Sequence, residues 1–187
     1  MDVVFTRMAG RRYGVTVLPP DGEPRGARPA PGFHEHIPHD LVHYVVEAEL
    51  GLASGLYGRT AQGGGTFRTL DRDGLDARAV GRETRRRQKR EERLRRDDHA
   101  GTNDMAVSEK MAGFCDVLWR RRHGERPDAP EPVRAREVAA VSPEVLAAAG
   151  RVVDRLDEIA PRWHALGEGG TLRFTWPSPV PHRDARG

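Results

Sequence analysis

Val3-Val4-Phe5-Thr6 and Tyr13-Gly14-Val15-Thr16-Val17, separated by Ala9-Gly10-Arg11, are the stretch whose reading decides the fold. Both runs are rich in β-branched and aromatic side chains that suit a pleated surface, and the glycine between them marks a turn. They predict a β-hairpin over residues 3–18. At the other end of the chain, Thr171-Leu172-Arg173-Phe174-Thr175-Trp176 alternates polar with apolar residues, the pattern of a half-buried strand. Strands near both ends with three or four helices between them predict an α+β fold. The small antiparallel sheet is the N-terminal hairpin plus the C-terminal strand, packed against those helices. One such domain is expected over 1–176, followed by a disordered tail over 177–187.

Between the strands the chain is punctuated. Residues 19–32 carry five prolines and three glycines and read as a loop. A helix is expected from Pro38 or His39 to about Gly51 or Gly55, because proline at the first helical position costs no hydrogen bond. Gly63-Gly64-Gly65 reads as a flexible joint, and Thr66-Phe67-Arg68-Thr69-Leu70 as a short strand. Val107, Met111, Phe114 and Leu118 mark an amphipathic helix. A proline-rich linker over 126–132 follows. Ser142-Pro143-Glu144 then caps the strongest helix, with its apolar stripe at Val145, Ala149, Val152, Leu156, Ile159, Trp163 and Leu166 and an interruption expected at Pro161.

Of 187 residues only 37% are hydrophobic while 32% are charged, so the core must be economical. The single cysteine, Cys115, excludes an intrachain disulfide and is expected to be buried. No stretch approaches the roughly 18–20 apolar residues of a membrane span. The first residues lack the pattern of a signal peptide. The expectation is a cytoplasmic protein with no membrane partner. A net charge of +3 is small, and only Lys89 and Lys110 of 31 basic residues are lysine. That bias is also what a GC-rich genome writes everywhere, so the basic pI alone does not argue for nucleic acid.

The most chemically loaded segment is Phe33-His34-Glu35-His36-Ile37-Pro38-His39-Asp40-Leu41-Val42-His43, which holds four of the eight histidines. His39 and His43 are one helical turn apart and point the same way, the spacing by which two imidazoles chelate one metal. With His34 or His36 folding back, or Glu47 one turn on, they could complete a zinc or other divalent-metal shell. Asp40 or Glu47 would orient a ligand or serve as the catalytic carboxylate of a metal-dependent hydrolase. On a helical wheel Asp40 and Glu47 fall on the polar edge of this helix. His39-Asp40-Leu41-Val42-His43 is similar to the zinc-peptidase helix of the zincins over these five residues, with Asp40 where that pattern has its glutamate base. The resemblance implies a metal chelate more than a peptidase.

Residues 78–98 form a second candidate. From Arg82 to Asp98 nine basic side chains stand against five acids, and Val80 and Leu94 are the only large apolar residues of the segment. Polar on every side, it is expected either to project as a helix or to lack order. Arg85, Arg86, Arg87, Arg90 and Arg93 suit the phosphates of a nucleic acid or an acidic partner. The interleaved acids and the absence of aromatics for base stacking argue against that use.

Overall fold

The computed structural model describes residues 1–20, 24–26, 37–69, 77–124 and 142–182. The hairpin is present. β1 (Asp2–Met8) and β2 (Arg12–Leu18) pair antiparallel, with Val3 opposite Val17 and Phe5 opposite Val15. This register puts Val3, Phe5, Tyr13, Val15 and Val17 on one buried face. β5 (Thr171–Thr175) pairs with the free side of β1, setting Leu172 opposite Phe5 and Phe174 opposite Val3, so both enter the same core. Two-residue strands β3 (Arg25–Gly26) and β4 (Arg68–Thr69) extend the sheet past β2, in the order β4-β3-β2-β1-β5. The expected loop over 19–32 therefore contributes a strand. The fold is α+β, as its sequence predicts.

α1 (His39–Leu50) starts after Pro38 and stops at Gly51, whose φ of 66° is a left-handed cap. Every residue from Leu41 through Glu47 is buried, so the expectation of a polar edge at Glu47 is overturned. The reason is position. The sheet side of α1 meets Phe5 and Phe174 through Tyr44, at ring separations of 6.0 and 4.9 Å. Its other sides meet α2 (Leu56–Ala61), α4 (Asp104–Arg122) and α5 (Pro143–His164).

On α4 the buried face differs from the expected one. Val107 is exposed, whereas Ser108, Met111, Ala112, Cys115 and Trp119 are buried. Ser108, a small polar side chain, lies on the core side because His43 and Glu47 of α1 supply polar partners there. On α5, Ser142 accepts from the Val145 N–H, and Ala149, Val152, Leu156, Ile159 and Trp163 are buried as the stripe predicts. Val145, at the exposed start, is not. The helix also runs on through Pro161 to His164. The proline removes one donor in the last turn, and burial of Trp163 beyond it holds that turn in place.

Past Pro177 the chain is tied back rather than loose. Pro181 bridges Phe174, the His182 N–H donates to Arg173 O at 2.7 Å, and the Tyr44 hydroxyl donates to Ser178 O at 2.9 Å. The linker over 126–132 and residues 183–187 lie outside the described residues.

α3 (Ala77–Ala100) is a helix of 24 residues. A polar helix still has a packing face here, made of Val80, Thr84, Arg87, Glu91, Leu94 and Asp98 at alternating intervals of four and three. Its polar members act as caps and braces for other elements. Asp98 accepts from the Asp104 and Met105 N–H groups at 2.6 and 3.2 Å, closing the start of α4. Glu91 accepts from the Gly65 N–H at 2.6 Å and pairs with Arg59 at 3.4 Å.

Candidate functional site

Two regions bear chemistry. The first is where α1, α2 and α4 meet. Glu47 is fully buried, and both its oxygens are engaged. Oε1 accepts from the Leu56 N–H at 2.8 Å and from the Ser108 hydroxyl at 2.9 Å, while Oε2 accepts from the Tyr57 N–H at 2.8 Å. The carboxylate thus caps the first turn of α2, where backbone donors are otherwise unmet. Burial pushes its carboxyl pKa up, and the N–H groups of Tyr57 and Leu56 with the Ser108 hydroxyl pull it back.

Ser108 also lies 2.9 Å from His43 Nδ1. A serine has one proton to donate, and Glu47 takes it, so His43 Nδ1 carries the hydrogen of this contact. That leaves Nε2 as the acceptor of a neutral ring. Burial, and then the neighbouring His39, keep the His43 pKa below its ordinary value, which favours that neutral form. Nε2 faces the exposed Glu109 carboxylate at 3.7 Å, and the His39 ring is 4.6 Å away centre to centre. Asp40 holds the front of α1 in place. Its Oδ2 accepts from Tyr13 at 2.9 Å and its carbonyl from Tyr57 at 3.0 Å.

The structure therefore brings His39 and His43 together and puts Glu47 one step behind them, through Ser108. Asp40 is turned to Tyr13. His34 and His36 lie outside the described residues. Among the described residues no three His, Cys, Asp or Glu side chains are grouped to hold a metal ion. Ser108 and Glu109 are the residues that sequence reading misses. Ser108 stands 65 residues beyond His43, with no local signal tying the two together.

The second region surrounds α3. Its solvent side carries nine exposed cations between Arg78 and Arg96, against exposed Glu83, Glu92 and Asp97. The other two acids of the segment, Glu91 and Asp98, point inward to Gly65 and to the start of α4. Interleaving therefore weakens the positive face less than the sequence suggests. Arg85, Arg86, Arg90 and Arg93 are on that face, but Arg87 is not; it is 6% exposed, on the packing side. Clefts flank the helix. One of about 640 Å³ lies toward Arg25 and Gln62, and one of about 900 Å³ toward Arg59 and Thr66.

Comparison with protein-family models, curated proteins and solved structures finds no match to this chain. No described helix is long and apolar enough to cross a membrane.

Proposed function

We propose that this chain is a non-enzymatic polyanion-binding protein whose working surface is the outer side of α3, laid along the sugar–phosphate backbone of a nucleic acid. One observation supports this above the rest: the acids that would neutralise the helix are partly turned into the fold, leaving nine exposed cations against three carboxylates. A helix of 24 residues is about 36 Å long, enough to span several phosphates. Among the described residues neither flanking cleft is lined by an aromatic side chain, which favours contact to backbone over stacked bases. The test is fluorescence anisotropy with a mixed-sequence duplex at low salt, then across a salt series. Binding that falls steeply with salt is expected. No binding at low salt removes the reading.

A second reading, a zinc or other divalent-metal site and a metal-dependent hydrolase built on it, is favoured by the anchoring of His43. A ligating histidine characteristically holds its other ring nitrogen in a hydrogen bond, and Ser108 with Glu47 behind it does this to Nδ1. Nε2 is left as the free ring nitrogen of His43, with the His39 ring 4.6 Å away, and the site requires a further donor, for which the sequence offers His34 or His36. Metal analysis after zinc addition to tag-free protein decides it. Stoichiometric zinc that is lost in His39→Ala/His43→Ala supports the site, and zinc retention unaltered by that double change excludes it.

A further inference from the structure

Arg59 and Arg87 are 4% and 6% exposed, yet Nη1 of each, and Nε of Arg59, have no hydrogen-bond partner among the described residues. Arg59 has a one-point ion pair with Glu91 at 3.4 Å, and the other Glu91 oxygen is engaged by the Gly65 N–H. Arg87 is pushed below the ordinary arginine pKa by burial and then by Arg25, with Arg68 adding to it. Glu83 acts in the opposite sense but is itself paired with Arg25 at 3.4 Å. A buried guanidinium short of acceptors is costly, and such a group beside a cleft points to a ligand.

Both arginines line the cleft of about 900 Å³ between the Gly65-Thr66 turn and α3. Arg68 and Arg95 add charge to it, Thr66 and Thr84 add hydroxyls, and Glu92 stands with Glu91 as its acids. We propose that this cleft binds the phosphoryl group of a phosphorylated ligand between Arg59 and Arg87.

The chemistry fits that group better than a carboxylate. A phosphate monoester is close to a dianion and offers three oxygens, which match several guanidinium N–H groups from two planar forks. The cleft is also larger than the phosphate alone, so an ester is the better occupant than the free ion. The inference rests on reading the α3 side of the molecule as anion-binding, but it concerns different atoms. Contacts on the exposed face are screened by salt, whereas a desolvated pair of forks is screened much less.

Thermal melting with inorganic phosphate and pyrophosphate, in phosphate-free buffer, tests the cleft itself. A 5′-phosphorylated oligonucleotide and its 5′-hydroxyl twin, at about 0.3 M salt, test the source of the group. Arg87→Gln removes one fork. Thr66→Glu places a competing carboxylate in the cleft from an exposed position and leaves the core untouched. Phosphate and pyrophosphate are expected to raise the melting temperature of the unaltered protein and neither variant. Preference of about tenfold or more for the phosphorylated twin assigns the group to a nucleic-acid end. A phosphate effect with the twins bound equally assigns it to a small phosphate ester, and the cleft still stands. Absence of any phosphate effect, or the same effect in Thr66→Glu, overturns the inference. If duplex still binds at low salt in that case, the proposed function survives without the cleft. If phosphate binds and duplex does not, the reverse holds.

Discussion

Glu47 shows how much one side chain can hold. Three donors converge on a carboxylate that no water reaches, and one of them, Ser108, passes the constraint on to His43. Glu47→Ala strands two backbone N–H groups and a hydroxyl in the interior. It should cost about 3 kcal/mol or more in denaturant unfolding, and Glu47→Gln, which keeps one acceptor, about half that. A loss below about 1 kcal/mol for the alanine would contradict this account. His43 gives a pH signature. Its folded-state pKa lies below the unfolded value of about 6.5, so on acidification the unfolded chain takes the proton first. Its contribution is complete above that value and is lost as pH falls beneath it. Glu47, with its pKa raised, acts in the opposite sense, so the His43 part must be read as the difference between the unaltered protein and His43→Asn. That difference in unfolding free energy should grow as pH rises toward about 6.5 and then level off. Cys115 is fully buried with its thiol pushed up to about 12, so a thiol reagent at mildly alkaline pH should label it only after unfolding.

At the scale of elements, the helices are joined by acids that reach across to their neighbours' first turns. Glu47 closes the start of α2 and Asp98 the start of α4, and Asp104, inside α4, accepts from the Ser54 N–H at 2.8 Å. Asp98→Ala should lower stability by about 1–2 kcal/mol, measured in urea, because the first turn of α4 is left uncapped. Gly55 has a more specific role. A Cβ there would sit 2.4 Å from the Glu47 carboxyl carbon, and that group is pinned. Gly55→Ala should cost about 2 kcal/mol in the native background and clearly less beside Glu47→Ala, since the clash is with the group removed. These acids also explain what could be read in advance. The hairpin, α5 and β5 announce themselves because apolar residues recur at their own periods, and α1 by the proline that opens it and the glycine that closes it. The inward stripe of α3 has the same regular spacing but is polar, so a search for apolar recurrence passes over it. The Ser108–His43 hydrogen bond has no local trace at all, because α4 must first fold against α1 to create it.

At the scale of the molecule, the question is whether α3 acts as brace, as binding face, or as both. Its inner stripe is committed to the fold through Glu91, Leu94 and Asp98, whereas its outer side carries nine exposed cations. Changes there should therefore separate binding from folding. Neutralising Arg85, Arg86 and Arg93 together, as glutamines, removes three exposed cations without touching the stripe. The melting temperature should shift little, because exposed ionic groups contribute about 0–1 kcal/mol each. Duplex affinity should drop at low salt. The slope of log K against log salt should also become shallower, by about 0.9 for each phosphate that is no longer neutralised. The slope is the more telling quantity. If these side chains only shaped the helix, affinity could fall while the number of counterions released stayed the same. An unchanged slope would mean that the phosphates are met elsewhere on the molecule.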